Sequence, residues 1–273
     1  MVESIREALN VGRSILKNNN MDEREARLLL ALSMDISTDE LIKFDKCDDE
    51  QYSRYLDYIK RRVSGEPFAY IAGHKEFMKL NFVVTPDVLI PRDDTEILVL
   101  EAIKQNKKRI LDLCTGSGCI AISLAKYIEN SKVDAVDICE KALNVAKRNA
   151  DLNNVEVNFI CSNLFENVLD KYDMIVSNPP YIRTSEIDEL QNEVKCEPKK
   201  ALDGGVDGLY FYTKISEEAS EYLNDNGIMF FEIGFDEGEA VKDILKSNCF
   251  VDIRIIKDLS GNDRVIYAKK GVK

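Results

Sequence analysis

Leu111-Asp112-Leu113-Cys114-Thr115-Gly116-Ser117-Gly118 closes a short apolar run and leads directly into Cys119-Ile120-Ala121, where helical spacing begins. A Gly-x-Gly turn between a strand and a helix lets a ligand approach backbone that a side chain would shield. Roughly twenty residues on, a second apolar run ends in Val136-Asp137, and an acid at the carboxyl tip of a strand can accept both hydroxyls of a ribose. Gly118 is followed by Cys119, Ile120 and Ala121, so the third glycine that would seat a pyrophosphate is missing. Alone, the glycine turn also suits tight helix packing, and Asp137 also suits a helix cap. Together they read as a nucleoside site without a pyrophosphate.

Outward from this turn, strand-like and helix-like runs alternate: Arg109–Leu113 then Cys119–Tyr127, Val133–Asp137 then Lys141–Asn149, followed by Val155–Ile160 and Met174–Ser177. Such alternation predicts an α/β domain with a largely parallel sheet and helices on both faces. Further on come an amphipathic stretch over Leu209–Leu223, the run Ile228–Ile233 broken by Glu232, a helix near Glu237–Lys246, and strands near Val251–Ile256 and Val265–Ala268. Upstream, apolar residues at three-to-four spacing (Ile5, Leu9, Ile15, Leu16; Ala26, Leu29, Leu30) predict about four short helices before Gly65-Glu66-Pro67. Phe77, Leu80, Phe82 and Val84 then alternate as in a hairpin. The expected domains are a helical one over 1–75, a β-hairpin linker over 76–90, and an α/β domain over 91–273.

The chain has 273 residues, 37 Lys and Arg against 49 Asp and Glu, and a net charge of −12. That balance disfavours sequence-independent nucleic-acid binding, which needs clustered cations. Lys195, Lys199 and Lys200 are a small exception. No apolar stretch approaches a membrane span and no leader pattern opens the chain, so the expected location is cytoplasmic, with no membrane. The seven cysteines include no Cys-x-x-Cys pair and His74 is the lone histidine. They read as structural residues, with no metal site.

The most specific signal is Asp173-Met174-Ile175-Val176-Ser177-Asn178-Pro179-Pro180-Tyr181. Prolines lack an N–H and fix φ, so a stiff turn at the strand's end leaves carbonyls facing outward. The Asn178 side-chain oxygen and the Pro179 carbonyl can accept both hydrogens of a planar –NH2 group, with Tyr181 against its flat face. The target implied is an amide or amino nitrogen, whose delocalised lone pair makes it a poor nucleophile. Gripping its hydrogens favours attack through orientation and electrostatics, with no strong base.

The Asp112–Gly118 phrase resembles the first motif of class I methyltransferases, and Asn178-Pro179-Pro180-Tyr181 resembles the motif shared by enzymes acting on adenine N6, cytosine N4 and protein glutamine. Leu89-Ile90-Pro91-Arg92-Asp93-Asp94-Thr95-Glu96, Tyr70-Ile71-Ala72-Gly73, Glu197-Pro198-Lys199-Lys200-Ala201-Leu202 and Gly204-Gly205-Val206-Asp207-Gly208-Leu209 narrow it. They resemble the HemK/PrmC family of protein-glutamine N5-methyltransferases that modify class I peptide chain release factors. The resemblance implies a Rossmann-like class I methyltransferase sheet, a small all-helical amino-terminal domain for substrate recognition, and a hairpin linker.

It further implies S-adenosyl-L-methionine as cofactor and S-adenosyl-L-homocysteine as product. Cys114, Thr115, Gly116, Ser117 and Gly118 would line the cofactor, Asp137 would bind its ribose, and Asn163 and Leu164 its adenine. Asn178, Pro179, Pro180 and Tyr181 would receive the glutamine of a Gly-Gly-Gln loop, with Asn178 also near the cofactor and Asn178, Pro179 and Tyr181 in the catalytic role. The pair Asn163-Leu164 departs from the family's more usual Asp-Trp, bringing neither charge nor aromatic plane. Weighed against this are a ribosomal-protein glutamine methyltransferase, a base amino-methyltransferase, and an inactive adaptor. Arg92, Asp93 and Glu96 read as a helix start with ion pairs.

Overall fold

The structure, a computed structural model describing residues 4–271, divides into two compact units: residues 4–72 with 192–196, and residues 73–191 with 197–271.

In the first unit, α1 (Ile5–Asn18), α2 (Glu25–Ser33), α3 (Asp49–Val63) and α4 (Phe68–Ala72) follow one another. Reciprocal capping by Ser4 with Glu7, and by Asp48 with Gln51, starts α1 and α3, using side chains to satisfy amides that a helix start leaves unpaired. Asp22 accepts the Arg24 N–H ahead of α2. The apolar stripes meet in a core of Ala8, Leu16, Leu29, Leu30, Tyr55 and Ile59. A Cβ on Gly12 would lie 1.7 Å from the Tyr55 hydroxyl, so glycine alone lets α1 sit against that ring.

Arg62, at the end of α3, is buried and pairs with Glu25 and Glu193, both at 2.5 Å. Removing one member of such a group leaves charge without compensation. Arg62→Ala is expected to destabilise this unit by about 3 kcal/mol, read as a lower midpoint in urea melts followed by circular dichroism.

The second unit opens with a hairpin of β1 (His74–Phe77) and β2 (Leu80–Val83). The hairpin expected within 76–90 thus begins at His74 and clusters with this unit. Then follow α5 (Thr95–Gln105), β3 (Arg109–Leu113), α6 (Cys119–Tyr127), β4 (Lys132–Asp137), α7 (Glu140–Asn153), β5 (Asn158–Cys161) and β6 (Tyr172–Ser177). The short α8 (Asn192–Lys195) falls in the first unit. The second resumes with α9 (Tyr210–Tyr222), β7 (Leu223–Glu232), α10 (Gly238–Ser247), β8 (Phe250–Lys257) and β9 (Asp263–Lys270).

The sheet order is β5-β4-β3-β6-β7-β9-β8, and β9 alone runs opposite in direction to the other six strands. One face packs with α5 and α6 around Leu98, Ile122, Leu124 and Phe230. The other packs with α9 and α10 around Ile175, Tyr212, Phe231 and Leu245. Strands buried on both faces explain the near-continuous apolar runs seen in sequence. Chain order reverses between β3 and β6, which pair with Leu113 opposite Ser177. In an open α/β sheet, ligands bind in the crevice outside the strand ends at such a reversal. Both sequence motifs emerge there.

Candidate active site

Directly after β3 the chain turns through Cys114 at φ 62° and Gly116 at φ 54°, and Gly118 at φ 81° precedes α6. A left-handed cysteine is strained by about 1 kcal/mol, a feature that clusters at functional turns. Hydrogen bonds hold the turn on every side. Asp112 Oδ2 accepts the Thr115 hydroxyl at 2.6 Å and the Ala121 N–H at 3.2 Å. Thr115 N–H donates to the Val136 carbonyl at 2.9 Å, and the Ser117 carbonyl accepts from Asn149 at 2.9 Å. Burial pushes the Cys114 thiol far up, and Cys119 up to about 12, so both are neutral small residues here.

Asp112 is fully buried, and burial raises its carboxyl to about 7 against the bonds from Thr115 and Ala121. Between about pH 4 and 7 the folded chain retains a proton that the unfolded chain has released, so Asp112 makes stability fall as pH rises through this window. Asp112→Asn keeps an acceptor for Thr115 and Ala121 and removes the titration. Its melting temperature should vary less between pH 5 and 8 than that of the parent, by differential scanning calorimetry.

Asp137, half-buried at the tip of β4, accepts the Gly116 N–H at 2.9 Å on Oδ2 and the Cys139 N–H at 2.8 Å on Oδ1. Burial raises its pKa, and these backbone bonds counter the rise. Each carboxylate oxygen has a second lone pair, so the group can still receive a diol. A Cβ built on Gly116 would meet nothing within 4 Å, which leaves that side of the turn open to a ligand. Residues 112–118 contain no Lys or Arg, in keeping with a nucleoside rather than a pyrophosphate. The residues present therefore fit a nucleoside cofactor.

The Asp137 carbonyl accepts the Ser162 N–H at 3.1 Å, bringing the end of β5 beside it. Asn163 turns its –NH2 to Glu166 at 2.7 Å. Leu164, at φ 47°, is partly buried against the apolar cluster under the sheet.

At the end of β6, the Ser177 hydroxyl donates to the Leu113 carbonyl at 2.7 Å, tying the two motifs together. Asn178 and Tyr181 are half-buried, and Pro179 and Pro180 are buried between them. The Asn178 Nδ2 donates to the Thr95 hydroxyl at 3.4 Å, and the Tyr181 hydroxyl to Glu232 Oε1 at 3.4 Å. Behind the turn, a Cβ on Gly204 would lie 2.6 Å from Tyr181 Cα. Only glycine permits that approach. Ile182 and Gly204 also bond through their backbones at 2.8 Å. The buried Glu197 carboxylate accepts the Ile90 N–H at 3.0 Å and pairs with Arg92. The phrases Ile90-Pro91-Arg92 and Glu197-Pro198, separate in sequence, are thus two halves of one brace. Asp93 pairs with Lys75, and Glu96 accepts the Met78 N–H.

Two residues stand here that sequence reading left aside. Thr95 opens α5 and is buried, and Glu232, at the tip of β7, is buried with its carboxyl raised by burial to about 7. The available signal for Glu232 was a single acid interrupting the apolar run Ile228–Ile233. Thr95 carried no signal beyond its place in a motif.

A family model described as "Methyltransferase small domain" matches residues 92–205, and one described as "PrmC N-terminal domain" matches residues 7–73. A protein named release factor glutamine methyltransferase from Geobacter sulfurreducens is 38% identical over 276 residues, covering 98% of this chain and 97% of that one. A Fusobacterium nucleatum protein of the same name is 48% identical over 224 residues, 79% of this chain and 63% of that longer one. Among solved structures, a methyltransferase from Pyrococcus furiosus superposes with TM-score 0.57 at 21% identity, covering 72% of this chain and 92% of that one. The last likeness concerns the fold alone.

Proposed function

This chain belongs to the release factor glutamine methyltransferase family, and from that premise we propose that it methylates the side-chain amide nitrogen of the Gly-Gly-Gln glutamine in class I release factors. The observation that carries the reading is the placement of Asn178 beside the glycine turn, joined by the Ser177–Leu113 bond at the point of strand reversal. S-adenosyl-L-methionine, when bound, supplies an electrophilic methyl group and departs as S-adenosyl-L-homocysteine.

Asp137 would hold the ribose hydroxyls, residues Cys114 to Gly118 the methionine and ribose side, and Asn163 and Leu164 the adenine. The Asn163 carbonyl oxygen is the acceptor suited to an exocyclic amine, its –NH2 being engaged by Glu166. Asn178 Oδ1 and the Pro179 carbonyl would accept the two hydrogens of the glutamine –NH2. Pro180 stiffens the turn and Tyr181 would pack against the flat carboxamide. These acceptors orient a weak nucleophile and favour the positive charge that develops on it during attack, a charge relieved when the methylated nitrogen releases one proton to water. The helical unit would contribute to recognition of the release factor. A substrate that works in translation places the reaction in the cytoplasm, and a net charge of −12 makes direct nucleic-acid binding unfavourable.

Incubating the protein with a class I release factor and S-adenosyl-L-methionine should add one methyl group to that glutamine, seen by peptide mass spectrometry. An unmodified Gly-Gly-Gln peptide would refute the reading.

A further inference from the structure

The Asn178 carboxamide can be placed two ways round in its pocket, and only one way presents an oxygen to the substrate –NH2. The structure holds a device that can choose between them. Asn178 Nδ2 donates to Thr95 Oγ1 at 3.4 Å. A hydroxyl that accepts there has one proton left to give elsewhere. Thr95 lies against Glu232, whose Oε2 is buried without a hydrogen-bond partner among the described residues. The Tyr181 hydroxyl donates to Oε1 at 3.4 Å. An ionised carboxylate only accepts, so with Glu232 charged the Thr95 proton points to Glu232, its lone pair faces Asn178, and Asn178 must offer its –NH2.

Resting on the reading above, we propose that Thr95 and Glu232 are positioning residues: the hydroxyl, oriented by the carboxylate, fixes the Asn178 amide so that Oδ1 faces the nitrogen to be methylated. If Glu232 carries a proton, or is replaced by an amide, it can donate to Thr95. The Thr95 proton is then free to point at Asn178, the carboxamide turns over, and two N–H groups meet the substrate's own.

The arrangement also makes the choice depend on pH. Burial raises Glu232 to about 7, opposed by the neighbouring Thr95 hydroxyl, by Arg264 of β9 and by Tyr181, while Asp94 before α5 reinforces the rise. Cys119 of α6 and Tyr212 of α9 also lie within its field. Ionisation as pH rises through this range should raise kcat.

Three variants test this with full-length protein and a release factor. Thr95→Val should lower kcat about tenfold, the worth of one hydrogen bond, with KM for cofactor little changed. Thr95→Ser should recover most of the rate, and Glu232→Gln should lose as much as Thr95→Val and flatten the rise of kcat with pH. A Thr95→Val enzyme with unchanged kcat, or a loss that serine does not rescue, overturns the proposal. A second measurement needs no turnover: the two Asn178 side-chain amide proton resonances, assigned by NMR in the cofactor-free protein, should shift in Thr95→Val and in Glu232→Gln. Unmoved resonances overturn the proposal, whereas a wild-type enzyme that leaves the release factor unmodified overturns only the reading it rests on.

Discussion

Asn178→Ala is expected to lower kcat for glutamine methylation by about 10²–10³-fold, the usual effect of deleting one preorganised polar group at a reacting centre. Cofactor affinity should stay within a few-fold, because Asp137 and the glycine turn are untouched. The size of the loss follows from the weakness of the nucleophile. A carboxamide nitrogen shares its lone pair with the carbonyl, and attack requires both alignment and relief of the charge that grows on the nitrogen. Asn178 contributes to both, and after its removal the Pro179 carbonyl accepts alone. Single-turnover rates with saturating cofactor are the measurement. A rate equal to wild type would mean that the amide is held by something else.

Replacing Asp137 by alanine should act on the other half of the reaction. Its carboxylate accepts the Gly116 and Cys139 N–H groups and, in our reading, two ribose hydroxyls. Bonds to a charged acceptor contribute about 1.5–3 kcal/mol each, so loss of the ribose pair alone weakens cofactor binding at least about 10²-fold. The released Gly116 amide also loosens the turn. Isothermal titration calorimetry should show Kd raised by this factor, with Asp137→Asn intermediate. An unchanged Kd would remove Asp137 from the site.

Features fixed by short-range pattern were legible in the sequence. The strand before Cys114, the helix over Cys119–Tyr127 and the strand into Asn178 follow from apolar spacing and glycine or proline punctuation, and the observed elements fall there. The site's two motifs were likewise visible, because each is contiguous. What pattern does not carry is the pairing of side chains far apart in sequence. Thr95 reaches Asn178 across 83 residues and Tyr181 reaches Glu232 across 51, and no local periodicity encodes either. Glu232 was visible as an anomaly, an acid amid apolar neighbours, without anything to say what it faced. The hairpin also starts earlier than the apolar alternation suggests, because its first three residues, His74, Lys75 and Glu76, are polar and only Phe77 is buried.

The segment 192–196 belongs with the helical unit although the residues on both sides of it belong with the sheet. The two units are therefore not separable cassettes. A gene fragment beginning at Gly73 would still encode these five residues, including a Glu193 deprived of Arg62, and the excised helical piece would lack them. Any shuffling of the amino-terminal half between relatives has to carry this internal stretch along with it, so the two stretches are expected to be inherited together.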